Sequence, residues 1–245
     1  MKITHGSLFS GRGGFDLAAE SCEIDNVWNC EIDKWLRAKL KRISPNAKQY
    51  ENVKTCSFPE SVTIMSAGFP CQDISISNWK NKQGIKGSRS GLWTEVKRIT
   101  NESKPLYLLL ENSSNIRRQG LEYVLQDLYE IGYNAEWDCL RAIDFGFPHQ
   151  RERMYIIAYS NSIGQRSSIF KPPGTFELSR SWTPTETFLS VSSSRKNRFR
   201  DIRAIQRGNV VHNHGREIHA FGNAIMPVIA EHLFRCVLED YKQVV

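Results

Sequence analysis

No stretch of this 245-residue chain comes near the roughly 18 consecutive apolar residues that a membrane helix needs. The opening MKITHGSLFSGRGG holds no apolar run of signal-peptide length, so neither membrane insertion nor secretion is expected. No two of the six cysteines, at 22, 30, 56, 71, 139 and 236, form a Cys-x-x-Cys pair. The chain is large for a disulfide scaffold, and the six read as reduced thiols in the cytoplasm. No internal repeat is present, which excludes solenoids and propellers. Disorder along the whole chain is excluded too, because 40% hydrophobic and 24% charged residues are the balance of a globular protein with a real core. The length fits one large domain, or a large one with a small partner.

What the chain does have is positive charge gathered in one place. The formal net charge is +7. Between residues 160 and 208, nine lysines and arginines face three acids, so a short segment carries nearly the whole excess. Within it, 14 of the 35 residues from 160 to 194 are Ser or Thr, interrupted by Pro172, Pro173 and Pro184 and followed by RKNRFRDIR. The segment has no long hydrophobic period and reads as a small module or a long functional insertion. Its charge suits a polyanion, most often nucleic acid, although a solvated basic loop has the same composition.

Elsewhere short apolar runs alternate with amphipathic stretches. Strands are predicted at Ile3–Phe9, Val27–Glu31, Ser61–Gly68, Leu106–Leu110 and Met154–Tyr159. Helices are predicted at Phe15–Cys22, Asp33–Ile43 with Asp33 as N-cap, Leu92–Thr100, Leu121–Ile131, and Asn223–Tyr241 with Pro227 in its first turn. The alternation predicts an α/β fold with a mostly parallel sheet covered on both faces.

In such a sheet ligands bind beyond the carboxyl ends of the strands. Polar clusters fall there. Phe9-Ser10-Gly11-Arg12-Gly13-Gly14 joins a strand to a helix, and its glycines permit a tight turn that a ligand can approach. Glu31, about 20 residues on, can accept hydrogen bonds from ribose hydroxyls. Gly68-Phe69-Pro70-Cys71-Gln72-Asp73 sets a thiol at a strand end, where a following helix would favour the nucleophilic thiolate. Glu111-Asn112-Ser113 follows LYLLL and offers a carboxyl for acid catalysis or for holding a protonated ring nitrogen. His149-Gln150-Arg151-Glu152-Arg153 precedes MYIIAY and turns two arginines to one face, suited to a carboxylate, a phosphate or a base carbonyl. Taken singly, these clusters also have bland readings: a plain turn, a buried inert thiol, a capping acid.

In this order the clusters resemble the DNA (cytosine-5) methyltransferase family. FSGRGGFD is similar to its first S-adenosylmethionine motif, GFPCQDIS to its catalytic Pro-Cys motif and GSRSGLW (87–93) to the motif that follows. ENS stands where the family has Glu-Asn-Val, HQRERMY resembles its Gln-x-Arg-x-Arg motif, and GNAIMP (222–227) its last motif. The resemblance implies an S-adenosylmethionine-dependent, Rossmann-like methyltransferase fold. Residues 1–159 plus 215–245 would form the catalytic domain, and 160–214 the target-recognition region.

The implied activity is transfer of a methyl group to C5 of cytosine in a specific duplex DNA sequence, in a restriction-modification setting. By the match, Cys71 would add to C6 of a flipped-out base. Glu111 would hold N3 and the exocyclic amine, Arg153 the cytosine O2, and Arg151 the ring or a nearby phosphate. The cofactor would be lined by Phe9, Ser10, Gly11, Gly13, Gly14, Glu31, Ile32, Phe69, Pro70, Leu92, Asn223 and Ala224. DNA contacts are expected from Gln72, Ser75 and Arg89, in a 72–90 loop able to close over DNA, and from Arg195, Lys196, Arg198 and Arg200. The expected partner is double-stranded DNA, the expected state a monomer, and the expected site the cytoplasm of a bacterial or phage-infected cell.

The chain departs from the family pattern at several points. Asn52-Val53-Lys54-Thr55-Cys56 lacks the Asp that usually follows the third strand, leaving Thr55 or Ser57 as substitutes. His149 takes the place of the usual Gln and Ser113 that of Val, and Arg203 and Gly208 stand one residue too far apart for the Arg-x-x-x-Gly motif. The missing Asp and the short basic segment also fit a relative that binds DNA without methylating it. The Cys-Phe-Thr signature of tRNA-methylating relatives is absent, and the lone Pro-Pro, at 172–173, lies outside any adenine or N4-cytosine motif. His212-x-His214 is too sparse a set for a metal, and no metal is expected.

Overall fold

The computed structural model describes residues 2–57, 60–70, 91–147, 150–166, 168–178 and 225–244. Its strands are β1 (Thr4–Leu8), β2 (Asp25–Cys30), β3 (Lys48–Tyr50), β4 (Ile64–Gly68), β5 (Tyr107–Ser113), β6 (Tyr133–Arg141) and β7 (Glu152–Ser160). The helices are α1 (Gly14–Ser21), α2 (Lys34–Ile43), α3 (Gly91–Ser103), α4 (Ile116–Gln119), α5 (Leu121–Glu130) and α6 (Pro227–Tyr241). The strands form one sheet in the order β3-β2-β1-β4-β5-β7-β6. Pairing is parallel from β3 through β5, and β7 runs antiparallel to both β5 and β6. The α/β, mostly parallel architecture read from the sequence is the one observed.

The apolar runs are unbroken because both faces of the sheet are covered. Along β7, Met154, Ile156 and Ala158 enter one core, while Tyr155, Ile157 and Tyr159 enter the other. β5 divides in the same way, with Leu108 and Leu110 on one side and Tyr107 and Leu109 on the other. The first core is closed by Trp93, Val96 and Ile99 of α3 and by Val124 and Leu128 of α5. The second is closed by Phe15, Ala18 and Ala19 of α1 and by Leu233, Phe234 and Val237 of α6. Leu108, Leu109 and Leu233 are fully buried, and each such side chain contributes roughly 1.5–3 kcal/mol.

Local signals behave as their chemistry predicts. The Asp33 carboxylate accepts from the backbone N–H of Trp35 (2.8 Å) and Leu36 (3.1 Å), so α2 starts at its expected cap. Pro227 opens α6, where a missing N–H costs nothing. Two strands were not foreseen, β3 and β6, and the predicted strand at 106–110 continues to Ser113.

Residues 169–178, which the resemblance assigns to the target-recognition region, pack against the α/β fold. Ile169 is buried, and Phe170, Phe176 and Leu178 lean on the second core. The Glu136 carboxylate on β6 accepts from the N–H of Ile169 (3.0 Å) and Phe170 (3.1 Å). His232 Nε2 of α6 donates to the Lys171 carbonyl at 2.9 Å. No helix among the described residues is long and apolar enough to cross a membrane.

Candidate active site at the carboxyl edge of the sheet

Strand register gathers most of the singled-out clusters on one edge. β1 runs out into Phe9-Ser10-Gly11, β2 into Glu31, and β4 into Phe69-Pro70. Gly68 pairs with Glu111, and Ser113 pairs with Arg153 at the start of the antiparallel β7. Glu111, Asn112 and Ser113 are therefore the last residues of β5 rather than a loop beyond it.

The glycine turn is built from within. Gly13 takes a left-handed backbone (φ 78°), and a side chain there would run into Ile43 and Leu40 of α2. A methyl on Gly14 would strike the Ile225 carbonyl, and the Ile225 side chain also reaches Gly68. The last motif thus packs directly on the first. Ser10 turns inward: its hydroxyl lies 2.6 Å from that of Ser7 and donates to the carbonyls of Ser7 (3.0 Å) and Cys30 (3.2 Å). The Ser7 hydroxyl in turn donates to Asp16 (3.0 Å), a fully buried carboxyl whose pKa burial pushes up to about 7. This Ser7–Ser10–Asp16 network went unread in the sequence, since each residue type is ordinarily a surface one.

Glu31 is placed by two backbone donors, Gly11 N–H at 2.8 Å and Asp33 N–H at 2.9 Å. Arg37 holds the same stretch by donating to the carbonyls of Glu31 (2.7 Å) and Ile32 (2.8 Å). The Ile32 side chain is left 69% exposed beside that carboxylate. A fixed acid next to an exposed apolar side chain suits a ribose followed by a flat base, so these residues fit the adenosine half of S-adenosylmethionine. In the stretch lacking the family Asp, Asn52 is occupied in its own turn, its side chain accepting from Lys54 N–H (3.0 Å). The exposed Thr55 hydroxyl donates to the Asn52 carbonyl (3.4 Å).

On the other side of the edge, Glu111 is buried and carries an ion pair with Arg153, Nε to Oε1 at 3.1 Å. Burial pushes its carboxyl upward, and the positive charges of Arg153 and Arg151 oppose that shift. Burial, together with the like charge of Arg153, lowers the Arg151 guanidinium. Such a carboxyl can hold or release a proton, with two cations beside it. Asn112 Nδ2 donates to the Phe69 carbonyl at 3.1 Å, fixing the end of β4 against β5. This tie is the positioning contact that motif matching passed over. The Phe69 ring is buried against Trp93 (centroids 5.2 Å apart), whereas Pro70 is exposed and Leu92 sits on α3 beside the first core.

The remaining expected site residues lie outside the described residues: Cys71, Gln72, Ser75, Arg89, Arg195, Lys196, Arg198, Arg200, Asn223 and Ala224; so do His149 and the histidines at 212, 214 and 219, for which no site role is expected. Among the described residues no group of three or more His, Cys, Asp or Glu could hold a metal.

A family model for C-5 cytosine-specific DNA methylases matches residues 3–217. Type II methyltransferase M.HhaI of Haemophilus parahaemolyticus is 34% identical over 177 residues, 70% of this chain and 53% of that protein. M.Sau3AI of Staphylococcus aureus is 27% identical over 233 residues, 86% of this chain and 55% of that one. The chain thus spans about half the length of these relatives. Among solved structures, the Dnmt2 methyltransferase of S. pombe shares the fold at a TM-score of 0.57 and 20% identity, over 72% of this chain and 57% of that one. With the family model covering most of its length, the chain belongs to the C-5 cytosine-specific DNA methylase family.

Proposed function

We propose that the protein transfers a methyl group from S-adenosylmethionine to C5 of cytosine in a specific duplex DNA sequence, through a covalent Cys71–C6 adduct on a flipped-out base. The observation that carries this is the buried Glu111–Arg153 pair, with Arg151 beside it, at the end of the strand next to the one leading to Phe69-Pro70-Cys71. C5 of cytosine is a weak nucleophile. Addition of the Cys71 thiolate to C6 pushes an electron pair toward N3, where a proton from Glu111 neutralises it, and leaves C5 as the nucleophilic carbon of an enamine. Arg153 would hold the cytosine O2 and Arg151 the ring or a nearby phosphate, and both would offset the negative charge of Glu111.

Bound S-adenosylmethionine would supply an electrophilic sulfonium methyl for C5. Glu31 and Ile32 would hold its ribose and adenine, and the turn from Phe9 to Gly14 its methionine end. Loss of the C5 proton to a base then lets the C6–S bond break and frees Cys71. The C5–C6 bond is stacked inside a duplex, so the base must leave the helix first, at a cost of a few kcal/mol. Sequence choice would fall to the basic residues between 179 and 214, since base edges are read in the grooves.

Bisulfite sequencing of DNA from cells expressing the chain reports activity and target together. Cys71→Ala should abolish methylation while duplex binding survives. Methylation that persists in the variant, or that falls on tRNA and not on duplex DNA, would overturn this assignment.

A further inference from the structure

The edge that carries Glu111 holds a second pair of cations. α4 is a single helical turn that begins three residues after Ser113. Ile116 is fully buried in the first core. Hydrogen bonds from Arg117 N–H to Ser114 O (3.3 Å) and from Arg118 N–H to Asn115 O (3.1 Å) curl the backbone tightly at the end of β5. This anchor leaves Arg117 and Arg118 exposed on a fixed backbone, with no ion-pair partner among the described residues. Arg117 is near enough to β6 for its charge to act on the Cys139 thiol. Cys139 is adjacent to Leu140, which pairs with Arg153, and Arg153 pairs with Ser113. Arg117 therefore stands on the same edge as the Glu111–Arg153 pair. A nearby arginine behaves differently: Arg141 is neutralised by Asp144 through two contacts, Nε to Oδ2 at 3.0 Å and Nη2 to Oδ1 at 2.8 Å.

We propose that Arg117 and Arg118 form a phosphate clamp on the DNA strand that flanks the target cytosine. The inference rests on the methyltransferase reading and names residues for its DNA contact that lie outside the basic segment and the 72–90 loop. A base drawn into a pocket at Glu111 brings its own phosphodiesters to the carboxyl edge, where α4 sits. Two guanidinium groups on a pinned turn can each face a phosphate with a fork of N–H donors. Contacts of this kind fix register and affinity without reading sequence.

The test replaces both arginines by alanine and measures binding of a short fluorescein-labelled duplex across a range of KCl concentrations. Each phosphate contact contributes about 0.9 to the slope of log affinity against log salt, so the double variant should lose a slope of about 2. R117K/R118K should keep most of that slope. The control is Lys41→Ala with Arg42→Ala, which removes the same charge from the last turn of α2. α2 joins β2 to β3 at one end of the strand order, whereas α4 follows β5 near the other, and loss of the α2 charge should leave the slope near that of the unmodified protein. An unchanged slope in R117A/R118A, or equal flattening in the control, overturns the clamp. Should the unmodified chain methylate DNA while R117A/R118A keeps its slope, the clamp alone fails. A chain that neither binds duplex nor methylates it refutes both claims.

Discussion

Replacing Asp16 by asparagine should expose a dependence of stability on pH that the unmodified protein conceals. Asp16 and His5 are both fully buried, and they shift in opposite directions. Burial raises Asp16 from its ordinary 3.8 to about 7. The folded state keeps a proton that the unfolded chain releases, so this contribution is complete below pH 3.8 and is lost as pH rises through about 7. A shift of about three units at about 1.4 kcal/mol each makes it about 4 kcal/mol. Burial lowers His5 from 6.5 to about 4, its ring nitrogens meeting Asn26 (2.6 Å) and Ser66 (2.7 Å). Here the unfolded chain binds the proton, so about 3 kcal/mol is present above pH 6.5 and lost as pH falls through about 4. Between about pH 4 and 6.5 the two slopes oppose and largely cancel. Asp16→Asn should leave stability rising with pH by up to about 1.4 kcal/mol per unit in that window, and His5→Gln should leave it falling by as much. Urea unfolding at several pH values reads both slopes. Parallel profiles for Asp16→Asn and the unmodified protein would refute the reasoning.

Other perturbations test the packing and the pocket. Gly14→Ala drives a methyl into the Ile225 carbonyl and should cost about 1–3 kcal/mol; an unchanged melting temperature would mean that α1 and the 225 segment do not approach closely. Arg153→Ala removes the nearest cation from Glu111 and should lower methyl transfer about 100-fold. In that variant the limb on which kcat declines with rising pH should move upward, because Glu111 then holds its proton more tightly. A limb that stays in place would count against Glu111 as the proton donor.

The central strands were legible because a parallel strand covered on both faces has no polar side to show, and LYLLL and MYIIAY are such runs. β6 escaped notice for the opposite reason. It is an edge strand whose YNAEWDCLR is mostly half-buried or exposed, and Trp137 on it is 47% exposed. β3, three residues long, carries no period at all. Residues 169–178 were hidden by their neighbours: a window dominated by Ser, Thr and Pro masks the four apolar side chains that dock on the second core. At the site, motif order brought Glu111 and Arg153 under one resemblance, but their direct ion pair was not foreseen. Nor were the buried Ser7–Ser10–Asp16 network and the Asn112 tie to Phe69, because nothing in a linear string marks which serine, aspartate or asparagine is sealed from water.

Ile225 closes on Gly14 and Gly68 from the far end of the chain. This packing against Gly14 and Gly68 therefore does not form until the ribosome has passed the whole basic segment that precedes Ile225. A nascent or truncated polypeptide holding only the N-terminal strands would have its motifs in sequence without Ile225 packed on them. On the proposed function, methyl transfer would wait for the very stretch expected to choose the target.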